Sequence, residues 1–197
     1  VNIENCWSWH NGYVKGTSTD AGDGVGFKLG SDLSGLQTGK LKRTLKNCMA
    51  WGNRNSGSHI NEAEFICELT NNTFYQNTLQ GINFHYKNQP HKFNKNVLFG
   101  NGIPPTANPW DAATGSNAIA TDNQYQTYSD QTKGWTKSVV NGDFVSLTFV
   151  LQSRNSDGSL PATDFLKIKS TSPIFGKGAS YSSTVVAPPI VTPPPVV

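Results

Sequence analysis

Short runs of alternating apolar and polar residues, separated by turns rich in Asn and Gly, recur along the first hundred residues. Examples are Gly-Phe-Lys-Leu at 26–29, Phe-Ile-Cys-Glu-Leu at 65–69 and Gly-Ile-Asn-Phe at 81–84. A period of two is typical of β-strands, and no long stretch shows the 3.6-residue period of an amphipathic helix. The pattern therefore predicts many short strands and almost no helix.

The strands belong to a repeat. The pattern Asn-x-x-x-aromatic-x-Asn occupies 5–11, 47–53 and 71–77, and a fourth copy at 95–101 has Lys in its first position. The last two intervals are 24 residues each. A period of this size is compatible with leucine-rich repeats, helical hairpins or coils of a parallel β-helix. Because the units are rich in Asn and aromatic residues rather than Leu, and lack helical spacing, the sequence predicts an all-β parallel β-helix.

Equivalent positions of successive coils should stack at the spacing of neighbouring strands, about 4.8 Å. We expect the last Asn of each unit to form a ladder at a turn, in left-handed backbone geometry, with its amide bonded to the next coil. We expect the aromatic residues to stack in the interior. The Asn ladder would comprise Asn11, Asn53, Asn77 and Asn101, and the aromatic stack Trp9, Trp51, Tyr75 and Phe99.

The first coil is longer than the others. The interval from Asn5 to Asn47 is 42 residues, and the extra residues fall into two insertions, one around 13–23 and one between Leu29 and Asn47. These insertions bracket the strand at 26–29. Insertions in a solenoid usually build its binding face, so this strand is the candidate functional element.

Alternation predicts which side chains of that strand point outward. Lys28 should face out between the buried Phe27 and Leu29, and the same register places His59 and Asn83 outward on the next two coils. Arg54 should lie near the same edge. Such a basic column could bind an acidic polymer, although the pattern alone is equally that of an ordinary solvated sheet face.

A family resemblance favours the functional interpretation. Residues 24–30 (Gly-Val-Gly-Phe-Lys-Leu-Gly) resemble the signature of polysaccharide lyase family 9, the pectate lyase family with a right-handed parallel β-helix. Residues 47–54 and 71–77 are similar to its following coils, and 159–174 to its C-terminal segment. The resemblance covers 1–102 well and 139–178 moderately. It implies an enzyme, a calcium-dependent lyase acting on an acidic polysaccharide such as pectate or another uronan.

The resemblance assigns roles to individual residues. It implies that Lys28 is the base that removes the C5 proton of a uronic acid. We expect Arg54, His59, Asn61 and Asn83, which lie around this lysine in the predicted fold, to be candidate substrate contacts. Ca²⁺ would neutralise the uronate carboxylate. A lysine with its usual pKa of about 10.4 is protonated at neutral pH, so the base needs a neighbouring cation or an alkaline medium. His59 departs from the family, which often has Asp there.

The family's calcium ligands have no match here. They form an Asp-rich stretch that should precede residue 1, whereas Asp20 and Asp23 are typical turn residues. We therefore expect none of these residues to bind the metal, and expect 1–180 to be the C-terminal portion of a larger β-helix domain whose preceding coils complete the site. The Pro-rich stretch 181–197 has the composition of a linker, which suggests a secreted protein with a possible carbohydrate-binding module beyond it.

The remaining observations set bounds. The net charge of +3 is mild, and no apolar stretch is long enough to span a membrane. Nucleic-acid signatures are absent. Cys6 and Cys48 hold equivalent positions and could either form a disulfide or remain stacked thiols.

We expect 103–138 to form an irregular excursion and 139–147 to rejoin the helix. A non-catalytic polysaccharide-binding β-helix and a β-helix glycoside hydrolase are the alternatives, although hydrolysis would need paired carboxylates on the outward face.

Overall fold

A computed structural model describes residues 1–30, 42–61, 66–85, 89–102, 111–127 and 133–181, and it contains three parallel sheets. In spatial order, the first sheet comprises β1 (Asn2–Glu4), β4 (Lys42–Lys46), β7 (Ile66–Thr70), β10 (Lys92–Asn94) and β13 (Ile119–Thr121). The second comprises β2 (Trp7–Trp9), β5 (Met49–Trp51), β8 (Thr73–Tyr75), β11 (Val97–Phe99), β14 (Asn123–Tyr125) and β15 (Trp135–Lys137). The third comprises β3 (Phe27–Lys28), β6 (Ser58–His59), β9 (Ile82–Asn83) and β12 (Ala112–Ala113).

The chain visits the three sheets in turn, and each visit pairs in parallel with the previous one. Met49 lies opposite Thr73, which lies opposite Val97, so the coils stack in register at the 24-residue period. This is the predicted parallel β-helix. Within the described part of the chain, no helix has the length and apolarity needed to cross a membrane.

The space enclosed by the coils is filled by the middle residue of each short strand and by the inward residues of the other sheets. Ala50, Phe74 and Leu98 of the second sheet are fully buried there, and they pack with Leu69 and Phe93 of the first sheet. Removing these large apolar side chains from water is the main contribution to the stability of the fold.

The predicted Asn ladder is present, and it is buried at Asn53, Asn77 and Asn101, whereas Asn11 at its start is exposed. Asn53 Nδ2 donates to Asn77 Oδ1 at 2.8 Å, and Asn77 Nδ2 donates to Asn101 Oδ1 at the same distance. Each side chain also accepts a backbone N–H from the coil before it, as Asn77 Oδ1 does from Asn53 N at 3.3 Å. The ladder therefore satisfies the polar groups of the turns, which water cannot reach.

The expectation that these Asn residues adopt left-handed geometry was wrong. The positive φ angles fall on the residue before each ladder position, for example Gly52 (φ 58°) and Gln76 (φ 48°). A second ladder, through Asn72, Asn96 and Asn123, was not predicted; Asn72 Nδ2 donates to Asn96 Oδ1 at 2.9 Å, and the ladder extends over the 27-residue step to Asn123.

The aromatic residues stack, but outside the coils. Trp9 and Trp51 lie parallel at 5.2 Å, as do Tyr75 and Phe99. Because alternation sends the middle residue of each strand inward, these side chains project from the outer face of the second sheet. The expected interior position was therefore wrong.

Residues 139–181 cover that outer face. The ring of Phe165 packs on Trp51 at 5.1 Å and on Tyr75 at 6.1 Å. This segment contains a short 3-10 helix (Asn141–Asp143) and touches itself by isolated bridges such as Phe144 to Ile168, but adds no strand to the sheets. The expected return to the helix at 139–147 was therefore wrong. The expected excursion was wrong for residues 111–127 and 133–138, because β12 to β15 continue the coils there, and residues 103–110 and 128–132 lie outside the described residues.

The end of the chain is described as far as Tyr181. Its ring packs on Trp7 at 5.5 Å, and its hydroxyl donates to the backbone oxygen of Asn47 at 2.5 Å. Burial raises the pKa of this phenol. The rest of the Pro-rich stretch predicted at 181–197 lies outside the described residues.

Candidate functional site

The outward column on the third sheet forms as the alternation predicts. Lys28 lies opposite His59, and His59 lies opposite Asn83. The inward neighbours of the lysine, Phe27 and Leu29, belong to the core, whereas half of the Lys28 side chain is exposed. The third sheet thus presents an amine, an imidazole and an amide side by side on one face.

The first insertion folds against this column as a small loop, which we call the 12–24 loop. It contains an antiparallel bridge between Tyr13 and Asp20, and the Tyr13 hydroxyl lies 3.2 Å from Thr78 Oγ1 two coils away. A carboxylate from this loop reaches the lysine, because Asp23 Oδ2 lies 3.9 Å from Lys28 Nζ. This ion pair was not predicted.

The two ends of the loop, Gly12 and Gly24, lie in close contact with each other. A Cβ on Gly12 would lie 2.5 Å from the Gly24 Cα and 2.8 Å from the Arg54 Cβ. A Cβ on Gly24 would lie 2.6 Å from the Asn11 backbone oxygen. Any larger residue at these two positions would separate the loop from the coil, since both also have positive φ.

Arg54 clamps the loop. Its guanidinium lies 2.8 Å from Asp20 Oδ1 and donates to the Gly22 backbone oxygen at 2.5 Å. The carboxylate of Asp20 raises the pKa of the guanidinium further. The arginine lies near the column, as expected, and its exposed guanidinium already has partners in the 12–24 loop.

A second contact fixes Asp23. Its Oδ1 accepts a hydrogen bond from Asn55 Nδ2 at 2.7 Å while Oδ2 faces Lys28. Asn55 also orients its own turn, because its Oδ1 accepts from the Ser56 backbone N–H at 2.7 Å. Asn55 and Asp23 were missed as site residues, and their side chains meet only because the insertion folds back onto the second coil.

His59 has a defined protonation state. Its Nδ1 accepts the Asn61 backbone N–H at 2.6 Å, which leaves the proton of the neutral ring on Nε2. Burial lowers the pKa of this imidazole; Asp23 opposes the shift, and His85 and Lys28 add to it. His59 is therefore a neutral hydrogen-bond donor beside the lysine.

The other two predicted contacts differ in role. Asn61 has a positive φ of 55° and supports His59 through its backbone. Asn83 lies on the column itself, and its Nδ2 donates to Gln80 Oε1 at 3.1 Å. Gln80 Oε1 also accepts from Ser56 Oγ at 3.2 Å, so the amide of Asn83 is held by the turn of its own coil.

These residues do not fit a calcium site. Asp23 faces Lys28 and accepts from Asn55, and Asp20 is paired with Arg54, so both carboxylates already have partners within the protein. In the parts of the chain that the structure describes, no three His, Cys, Asp or Glu side chains come together as metal ligands. Calcium takes six to eight oxygen ligands, with carboxylates prominent among them.

Comparison with known proteins gives a consistent picture. A family model described as "Pel9A-like, right handed beta helix region" matches residues 1–138. The chain is 32% identical over 189 residues to pectate lyase L of Paenibacillus polymyxa (strain SC2), which covers 90% of this chain and 36% of that protein. It is 31% identical over 191 residues to pectate lyase L of Dickeya dadantii (strain 3937), covering 93% of this chain and 39% of that protein.

A solved structure is similar over the same extent. The crystal structure of pectate lyase Pel9A superimposes with a TM-score of 0.62 at 28% identity, covering 93% of this chain and 41% of the other. The chain thus spans somewhat more than a third of the length of the curated relatives it matches.

Proposed function

Because this chain belongs to the Pel9A-like right-handed β-helix family, we propose that it forms part of a pectate lyase that cleaves an acidic polysaccharide by β-elimination. The observation that carries the proposal is the outward column, in which a half-exposed Lys28 stands between the 12–24 loop and the neutral His59. Long polysaccharides do not cross membranes, so we also propose an extracellular site of action.

In the proposed reaction the neutral amine of Lys28 takes the C5 proton of a uronic acid residue. The electrons of that C–H bond form the C4=C5 double bond, and the C4–O4 bond breaks with its electron pair on O4, which is then protonated from solvent. A positioned base of this kind typically contributes 10²–10⁴-fold to the rate. Only the neutral amine can accept this proton, because a protonated amine has no free electron pair.

The neighbours of the lysine have complementary roles in this proposal. The Nε2–H of His59 and the side-chain amide of Asn83 present donors to the carboxylate or hydroxyl groups of the substrate. Arg54 contributes by holding the 12–24 loop in place, and it contacts a substrate carboxylate directly only where that group displaces Asp20.

Calcium remains a prediction, and no step is assigned to it, since the described residues do not supply its ligands. Calorimetric titration of this chain with Ca²⁺ tests the point. We expect no stoichiometric uptake, and a tight site with one ion per chain would contradict the expectation.

The lyase proposal is tested with the protein as it is naturally produced, on polygalacturonate with added Ca²⁺. The ultraviolet absorbance of the unsaturated product should appear with the wild type and fall by at least 10²-fold in Lys28→Ala. Lys137→Ala, which changes an exposed lysine on β15, is the matched control and should keep full activity. Reducing ends without the chromophore would indicate a hydrolase, and binding without cleavage an adhesion module.

A further inference from the structure

Cys6 and Cys48 occupy the same place in successive coils. Each follows an Asn with positive φ, Asn5 or Asn47, and each precedes a strand of the second sheet. The following residues, Trp7 and Met49, lie directly opposite each other, and the Met49 backbone N–H donates to the Cys6 oxygen at 3.0 Å. The two cysteines are therefore neighbours across one strand spacing.

The two thiols have the same orientation. Cys6 Sγ lies 3.2 Å from the Glu4 backbone oxygen, and Cys48 Sγ lies 3.2 Å from that of Lys46, so the two side chains have the same orientation. Cys48 Sγ also lies 4.0 Å from the Ile3 oxygen of the preceding coil. A strand spacing of about 4.8 Å falls inside the ~4.4–6.8 Å range of Cα separations that disulfides span.

The two thiols differ in access to solvent. Cys48 is fully buried, and burial raises its pKa to about 12, whereas Cys6 is partly exposed. The third cysteine, Cys67, is buried on the first sheet opposite Arg43 and has no cysteine beside it in the described part of the chain. An external reagent would therefore reach Cys6 first.

We propose that Cys6 and Cys48 are a site of covalent modification, forming an intrachain disulfide under oxidising conditions. The thiolate of Cys6 attacks a small disulfide such as oxidised glutathione, forming a mixed disulfide and releasing one glutathione thiol. Cys48 loses its proton to solvent and attacks the Cys6 sulfur, releasing the second glutathione. Two protein thiols are oxidised and one glutathione disulfide is reduced to two thiols, so atoms and electrons balance.

The bond would close the coil that carries the two insertions. The two cysteines are separated by the same 42-residue interval as Asn5 and Asn47, and the enclosed chain carries the 12–24 loop and Lys28. Cross-linking residues so far apart restricts the unfolded chain strongly, and it ties the first coil to the second. The candidate site would then stay assembled even when the rest of the first coil opens transiently.

The test uses the purified chain incubated with oxidised glutathione, then alkylated and mapped by mass spectrometry. We expect a peptide linking Cys6 to Cys48, with Cys67 still alkylated as a free thiol. The cross-linked chain should melt roughly 5–10 °C higher than the reduced one. Cys6→Ala, a change at a partly exposed position, should fold and lose this redox-dependent difference, and Cys67→Ala should retain it.

Three results would overturn the proposal. The first is a product in which glutathione stays on Cys6 while Cys48 remains a thiol. The second is a disulfide-linked dimer through Cys6. The third is a cross-linked chain that melts no higher than the reduced one, which would mean that the bond forms only by distorting the coils.

Discussion

His91 is a buried imidazole whose titration should make the fold sensitive to acid. The ring is fully buried between Phe84 and Phe93, at centroid distances of 5.1 and 6.3 Å. Its Nδ1 accepts the Cys67 backbone N–H at 3.1 Å, and Nε2 has no hydrogen-bond partner among the described residues. Protonation would replace this accepted bond with a buried charge, which is why burial lowers the pKa of His91 to about 4.

The difference in proton binding between the folded and unfolded states sets the sign and size of this pH dependence. The folded state holds the neutral ring, whereas the unfolded chain binds a proton near pH 6.5, so acid favours unfolding. The contribution of His91 to the free energy of unfolding is intact above about pH 6.5. It is lost as the pH drops toward 4, and it stops changing below that value. The full shift of about 2.5 pKa units corresponds to about 3 kcal/mol, most of which should be lost by about pH 4.5.

The matched perturbation is His91→Asn. Asn72 Oδ1 already accepts the Cys48 backbone N–H at 3.0 Å over the same 24-residue step that separates His91 from Cys67. An Asn side chain at 91 places an acceptor two bonds from Cβ, as His Nδ1 does, but cannot titrate. His10→Asn, at an exposed position with a φ of 53° that Asn tolerates, is the control.

The assay is urea unfolding of the three proteins from pH 7.5 to 4.5. As the pH falls across this range, the unfolding free energy of the wild type should drop by about 2–3 kcal/mol more than that of His91→Asn. Wild type and His10→Asn should remain parallel. If wild type and His91→Asn also lose stability in parallel, the buried ring does not titrate as argued here.

Three further predictions concern the scaffold. Gly57→Ala should cost about 1–3 kcal/mol or more, since its Cβ would lie 2.5 Å from Phe74 Cδ1; an unchanged urea midpoint would contradict this. Asn77→Ala should cost about 2–4 kcal/mol by leaving buried ladder groups unpaired, which the same unfolding curves measure. Phe165→Ala should loosen the cover over the second sheet and shift tryptophan fluorescence to the red, and an unmoved emission maximum would refute that role.

The regular part of the fold could be predicted because each coil repeats the same local chemistry. Equal spacing puts Asn53 above Asn77, and alternation then decides that Lys28 points outward while Phe27 points inward. These inferences need only a period and a pleat. The error over the aromatic residues arose where the pattern was followed without the pleat, because Trp51 and its equivalents flank an inward Ala50.

The packing of residues 139–181 on the second sheet could not be predicted, for a different reason. Residues 139–181 have no repeat, and their contacts with the second sheet join positions far apart in sequence, such as Ala179 N with Thr73 Oγ1 at 2.9 Å. An exposed aromatic column requires something to bury it, since apolar surface of that extent is rarely left in water. That requirement was implicit in the sequence, but the segment that meets it was not identifiable by pattern.

The charges around Lys28 and Arg54 could not be predicted either, because they depend on how the 12–24 loop folds. From sequence, Lys28 and Arg54 formed a basic column suited to an acidic polymer. In the structure the 12–24 loop brings Asp23 to the lysine and Asp20 to the arginine, so both cations are locally balanced. These ion pairs are exposed, and exposed ion pairs contribute little to stability because water and salt screen them, so the carboxylates of a uronate chain can exchange for them at little cost. The loop therefore keeps the cations in place without occupying them permanently, which is compatible with the proposed binding of an acidic polysaccharide.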